Sequence, residues 1–204
     1  MNDFVAIDFE TATYARNSAI AIGLVKYRNY KPIGSYYSLI RPPRLYIRPD
    51  FTDIHGLRAD DVRDAPDFSQ LWENGIFPFV EGIPLAAHNA VFDMNVLRAV
   101  LEWYELPIPE LPYFCTCTLA RHVWQGLGSY ALTALAEKFG IVYNAHNALD
   151  DAMACGKLVQ IFQEKSETFR RAGTARFPSG KGESIGDLLE TAGIGMKLLN
   201  NREE

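Results

Sequence analysis

Three short apolar runs rich in β-forming residues open the chain: Phe4 to Phe9, Ile20 to Tyr27 and Ser35 to Ile40. Runs of this length between turn residues read as strands. Pro32-Ile-Gly34 supplies turn chemistry between the second and third, so an antiparallel meander is expected, ended by Pro42-Pro43. The period then changes. Asp60 to Val62 and Asp67 to Trp72 read as short helices separated by Pro66, and Pro84 to Ala87 as a compact strand. Val91 to Tyr104 carries the best helical period and runs into Pro107 and Pro109. Tyr130 to Phe139 is a second helix closed by Gly140, and Asp151 to Phe162 a third, with acids at its start where the helix dipole favours them. Strands first and βα alternation afterwards predict an α/β domain on a mixed sheet. The stretch after Lys165 patterns weakly, with apolar positions at Ile185, Leu188 and Leu189. Residues 1–165 are therefore expected to form the domain, and 166–204 a C-terminal appendage ordered in part at best.

Several acids violate the pattern that defines these elements. Asp8 and Glu10 lie two apart on the first strand, so both project from one face while Ile7 and Phe9 project from the other. Side by side they repel, and burial raises their pKa values, so either water solvates them or a cation neutralises them. Asp93 shares a helical stripe with Val96, Leu97 and Val100, which places a carboxylate on the buried face. Asp151 repeats this, aligned with Ala154, Cys155 and Leu158, whereas its neighbour Asp150 lies on a mixed face and reads as a helix cap. A capping role for Asp151 and a chance mismatch at Asp93 are the bland alternatives.

Four inward acids offer hard oxygen ligands that suit Mg2+ or Mn2+. Two such ions ~3.5–4 Å apart are a recognised device for in-line phosphodiester displacement. His146, in the loop before the last helix, becomes a candidate general base beside such a site, since an unperturbed histidine titrates near ~6.5.

Composition narrows the setting. The chain is 48% hydrophobic and 22% charged, an ordinary globular mixture, and its formal net charge of −5 excludes a global basic field that would attract nucleic acid. Any phosphate contact must be local or carried by metal. No apolar run reaches the ~18–20 residues of a membrane helix, and the N-terminus has acids where a signal would be apolar. The three cysteines, Cys115, Cys117 and Cys155, do not suggest a disulfide framework. A cytoplasmic protein without membrane association is expected.

Asp8-Phe-Glu10-Thr, His88-Asn-Ala-Val-Phe-Asp93 and His146-Asn-Ala-Leu-Asp-Asp151 together resemble the three motifs of the DEDDh 3′–5′ exonucleases, the group of the DNA polymerase III epsilon subunit, ribonuclease T and oligoribonuclease. Each motif alone is weak; all three in order, with the histidine five before the last aspartate, are specific. Ile54-His-Gly-Leu…Asp61-Val…Ala65-Pro-Asp-Phe68 looks like the segment these enzymes carry between their first and second motifs. The resemblance spans about residues 3–165. It implies a ribonuclease-H-like fold with a central five-stranded mixed sheet flanked by helices. It further implies that Asp8, Glu10, Asp93 and Asp151 hold two divalent ions, that His146 deprotonates the attacking water, and that nucleoside 5′-monophosphates leave from a free 3′ end of nucleic acid. Proofreading subunits typically continue Glu-Thr-Thr-Gly where this chain has Glu10-Thr-Ala-Thr13, and a glutamine-led clamp-binding peptide is not found after the last motif helix. A stand-alone nuclease is therefore favoured, with a polymerase or replication partner left open.

Further substrate-binding candidates are Thr11, His55, His88, Asn89 and Phe92. Phe92 can stack on a base or pack in the core; His55-Gly56 is expected to open a helix near the terminal nucleotide; Asn89 reads as a cap for the helix that follows. Ser179-Gly-Lys-Gly182 lacks the spacing of a phosphate loop and reads as a turn. DNA is the favoured substrate. The competing readings are an RNA-directed exonuclease and a catalytically silent module that binds nucleic acid or protein on the same fold.

Overall fold

The computed structural model of the chain describes residues 2–171, 186, 189–190 and 194–200. Strands β1 (Phe4–Thr11), β2 (Ala19–Arg28) and β3 (Lys31–Leu39) form the antiparallel meander. Its second turn differs from expectation. It lies at Asn29-Tyr30, both at positive φ (48° and 62°), while Pro32 and Gly34 stand inside β3. Two successive left-handed residues give the twist a tight hairpin needs. An edge strand tolerates Pro32, whose missing N–H costs little there.

A run of short helices follows: α1 (Pro49–His55), α2 (Ala59–Val62), α3 (Phe68–Leu71), a π-helical turn at Trp72–Ile76 and α4 (Phe77–Val80). His55 closes α1 rather than opening a helix, because Gly56 at φ 79° supplies the left-handed C-cap. The chain then alternates through β4 (Leu85–Ala87), α5 (Val91–Trp103), β5 (Pro112–Cys115), α6 (Thr116–Val123), α7 (Leu132–Phe139) and α8 (Ala148–Arg171). The sheet order is β3-β2-β1-β4-β5-β6, with β4 parallel to both β1 and β5. The sixth strand, β6 (Lys197–Leu198), was not expected. It pairs antiparallel with β5, while Leu199 is buried in the layer of Val5 and Ile7 and Leu189 in that of Phe4 and Ala6. Ile185, Leu188 and Ser179-Gly-Lys-Gly182 lie outside the described residues.

Alternation along β1 divides the core. Val5, Ile7 and Phe9 pack with α5 and the helical run 68–80, whereas Phe4 and Ala6 pack with α6, α7 and α8. Two glycines let α8 lie close against the sheet. A Cβ on Gly23 would fall 2.2 Å from the Ala148 carbonyl oxygen, and one on Gly156 the same distance from the Tyr27 ring. Gly23 is the cross-strand partner of Asp8. The closest approach of α8 is thus beside the first motif acid.

Two expected caps are corrected. Asn147, not Asp150, caps α8: its Oδ1 accepts from the N–H groups of Leu149 and Asp150, both at 3.2 Å. Asp150 lies within the first turn, where its Oδ2 accepts from the Asn144 N–H. Asn89 does not cap α5 with its side chain; the N-cap is Ala90, and Asn89 turns the chain at φ 66° while its carbonyl accepts from the Phe92 N–H.

Candidate active site

The face of β1 turned toward α8 carries Phe4, Ala6, Asp8 and Glu10 in succession. Because Gly23 admits the start of α8, Asp151 in its first turn arrives opposite the two acids. One ligand oxygen from each of Asp8, Glu10 and Asp151 lies within 4.8 Å of the others. Asp93 enters from the other layer, at the start of α5, and its Oδ1 accepts from the Phe9 N–H at 3.2 Å. Its charge acts on Asp8, although its oxygens fall outside the 4.8 Å group.

Electrostatics show how unfavourable this cluster is when bare. Burial, then the charges of Asp93, Asp151 and Glu10, holds Asp8 well above the usual carboxylate range. Glu10 is pushed up to about 8 by burial and by Asp151. Asp93 is raised chiefly by burial, against the lowering effect of the Phe9 N–H. Asp151 rises to about 6 through burial, while the backbone and charge of His146 hold it down. Asp93 Oδ2 and Asp151 Oδ2 are buried with no hydrogen-bond partner among the described residues. Buried anionic oxygens without a donor are costly, and a hard divalent cation answers both the charge and the missing partners. The donor set, all carboxylate oxygen, fits magnesium or manganese.

The remaining candidates separate into those at the site and those engaged elsewhere. His146 is exposed, at φ 66°, in the turn before α8, and its charge acts on Asp151. Thr11 ends β1 and is buried. His55 is half-buried; its Nδ1 accepts from the Leu57 N–H, and burial lowers its pKa against the raising effect of the Thr11 backbone, with the nearby His146 lowering it further. The structure thus brings His55 toward His146. His88 is committed to structure, with Nδ1 2.9 Å from Thr116 Oγ1 and Nε2 2.8 Å from the Tyr130 carbonyl. Asn89 is exposed, and Phe92 packs partly on the core under the Arg16 guanidinium. Two tyrosines near the acids carried no sequence signal. Tyr143 is pushed up to about 12 by burial and then by Asp151 and Asp8, and Tyr37 is raised by burial and Glu10. Only Tyr37's register opposite Gly23, itself opposite Asp8, would have located it. All three cysteines are free thiols.

The sequence model of the exonuclease family, RNase T type, matches residues 5–159, three quarters of the chain. The chain belongs to this exonuclease family. DNA polymerase III subunit epsilon of Treponema pallidum is 34% identical to the exonuclease chain over 160 residues, covering 76% of this chain and 74% of the relative. PolC-type DNA polymerase III of Caldanaerobacter subterraneus is 30% identical over 80% of this chain but only 12% of its own length. The 3′-5′ exonuclease DinG of Staphylococcus saprophyticus is 30% identical over 81% of this chain and 18% of its own length. The chain thus spans under a fifth of these two longer relatives.

Among solved structures, Exonuclease X in complex with 5′ overhanging duplex DNA superposes with TM-score 0.64 at 24% identity, covering 91% of this chain and 98% of the other. The nuclease domain of 3′hExo, a DEDDh family member bound to rAMP, gives TM-score 0.69 at 16% identity over 80% and 92% of the two chains. These likenesses establish the shared fold: the mixed sheet with flanking helices is ribonuclease-H-like. The family is one of 3′–5′ exonucleases, which are hydrolases and generally use divalent metal ions.

Proposed function

We propose that this chain removes nucleotides one at a time from the 3′ end of nucleic acid, DNA in preference to RNA, releasing nucleoside 5′-monophosphates. The observation that carries the reading is the acid cluster, whose unpartnered buried oxygens Asp93 Oδ2 and Asp151 Oδ2 are costly unless a cation meets them. Asp8, Glu10, Asp93 and Asp151 would hold two magnesium or manganese ions. When bound, such ions supply charge neutralisation for the scissile phosphate and lower the pKa of water.

The chain's own residues do the rest. His146, exposed beside Asp151, accepts the proton of the attacking water. The water oxygen bonds to phosphorus as the bond to the 3′-oxygen breaks, and that oxygen leaves as an alcohol after taking up a proton. Thr11 and His55, which the Thr11 backbone holds beside the end of β1, would flank the terminal nucleotide. The preference for DNA draws on relatives named as a DNA polymerase subunit and as DNA polymerases. A stand-alone nuclease in the cytoplasm is proposed, with a polymerase or replication partner as the alternative these relatives suggest. Among the described residues no helix is long and apolar enough to cross a membrane.

The test is an end-labelled oligonucleotide assay on matched DNA and RNA, single and double stranded, with magnesium or manganese. Stepwise mononucleotide release that EDTA abolishes and either cation restores is expected. Turnover that resists chelation would remove the metal-dependent reading. Faster cleavage of RNA would transfer the same chemistry to an RNA-directed enzyme, and binding without cleavage would identify a silent module.

A further inference from the structure

The β1–β2 connection and the segment before α1 border a cavity of about 440 Å³, lined by residues including Thr13, Tyr14, Arg44, Tyr46, Arg48 and Trp103. Its aromatic rings are unusually bare: Tyr14 is 73% exposed, Tyr46 47% and Trp103 57%. Single exposed apolar side chains need no explanation, but three around one cavity mark a binding surface. Cations accompany the rings. The Arg48 guanidinium lies 4.9 Å from the Tyr14 ring centroid, Arg44 lies 5.5 Å from Tyr46, and Arg16 lies 5.1 Å from Phe92.

These cations are not equivalent. Arg48 is held bidentately by Asp50, at 2.9 and 3.1 Å. Arg16 and Arg44 make no ion pair among the described residues. In a chain of net charge −5, that is a local reserve of positive charge. Tyr14 is held in place, its hydroxyl donating to Asp50 and its ring edge-on to Phe51 at 5.0 Å. Arg48 lies over Tyr14, and the residue remains 73% exposed.

The cavity's lining begins two residues past Thr11, at Thr13, and Arg16 follows directly on the lining residues Tyr14 and Ala15. The Arg48 N–H donates to the Ala12 carbonyl at 3.0 Å, one residue past Thr11, and Arg16 reaches Phe92, which adjoins Asp93. Phe92 and Trp103 stand eleven residues apart on α5, three turns along one stripe, or about 16 Å by helix rise. An aromatic and cationic strip therefore leads away from the reacting end.

We propose that this groove binds the single-stranded nucleic acid upstream of the scissile nucleotide, with bases stacking on Tyr14, Tyr46 and Trp103 and phosphates meeting Arg16 and Arg44. The inference rests on the nuclease reading of the acid site. Aromatic faces accept any base, and free guanidiniums beside them track a polyanion, so the chemistry suits a single strand without sequence preference. A polypeptide occupant would leave the two unpaired arginines without a purpose unless it were acidic.

The experiment compares wild type with Tyr14→Ala, Trp103→Ala and Arg44→Ala on a long oligothymidylate and on a dinucleotide. Strand affinity is followed by fluorescence anisotropy, and kcat/KM is measured on both substrates. Each aromatic truncation is expected to weaken long-strand affinity roughly five- to hundredfold. The ratio of kcat/KM on the long strand to that on the dinucleotide falls with it, and Tyr14→Phe and Trp103→Phe recover both. Arg44→Ala is expected to flatten the slope of log affinity against log salt by about 0.7, the share of one phosphate contact to a single strand. Unchanged affinity and an unchanged substrate ratio in both aromatic variants would overturn the groove, as would an unchanged salt slope in Arg44→Ala. If neither substrate is cleaved, the nuclease reading fails while the anisotropy series still decides the groove.

Discussion

At the scale of single residues, the acids are better understood as a stored repulsion than as four separate ligands. Their pKa values stand above those of free carboxylates, with Glu10 near 8 and Asp151 near 6. The folded, metal-free protein therefore binds more protons than the unfolded chain between about pH 4 and 8, so the cluster lowers stability as pH rises through that window. Asp8→Asn is expected to raise the melting temperature in EDTA at pH 8, with the gain shrinking toward pH 5 and the response to added magnesium reduced. Thermal melts at the two pH values check this, and a fall in melting temperature at pH 8 would show Asp8 to be structural. His146 is a different kind of residue, exposed and outside the 4.8 Å group. His146→Ala should cut kcat roughly 10²–10⁴-fold. Calorimetric metal affinity should stay near that of wild type, and a large loss of affinity would make His146 a ligand instead.

At the scale of elements, the site depends on how closely α8 lies on the sheet. Gly23 makes that approach, since any Cβ would collide with backbone at Ala148 rather than with a flexible side chain. Backbone cannot swing aside as a rotamer can. Gly23→Ala is therefore expected to cost roughly 1–3 kcal/mol by overpacking, and to lower metal affinity by moving Asp151 away from Asp8 and Glu10. Denaturant unfolding and metal titration measure the two effects separately. Gly156→Ala meets the Tyr27 ring, farther along α8, so at similar stability loss it should disturb metal binding less. A reversed order would place the pivot of α8 elsewhere.

At the scale of the whole molecule, we propose that residues 1–165 form the exonuclease domain and 166–204 an appendage that docks on it. The described part of that appendage is no mere tail. Leu199 is fully buried, and Arg98 Nε donates to its carbonyl at 3.0 Å. Leu199→Ala should cost roughly 2–5 kcal/mol if its cavity does not collapse, while cleavage and metal affinity persist, because β6 lies at the sheet edge with β4 and β5 between it and the acids of β1. Ending the chain after Lys165 should lower the melting temperature and retain divalent-cation binding. An insoluble or cation-blind truncation would place the boundary farther along.

Periodicity by itself determined much of this protein. Alternation sent Asp8 and Glu10 to one face of β1, and the helical stripes of Asp93 and Asp151 turned both acids inward, because side-chain direction in a regular element follows from sequence position alone. The meander, the βα alternation and the closing helix were legible for the same reason. Turns and caps were less so: Asn29-Tyr30 took the hairpin from Pro32-Ile-Gly34, Gly56 turned His55 into a helix end, and Asn147 took the cap from Asp150. Several residues nearby can satisfy the same local chemistry, and register chooses among them. Only the tertiary structure set His88 between Thr116 and Tyr130, brought Tyr143 and Tyr37 to the acids, and paired β6 with β5. Those contacts join residues far apart in the chain, where no local period reaches, and they exist because α8 can press on Gly23.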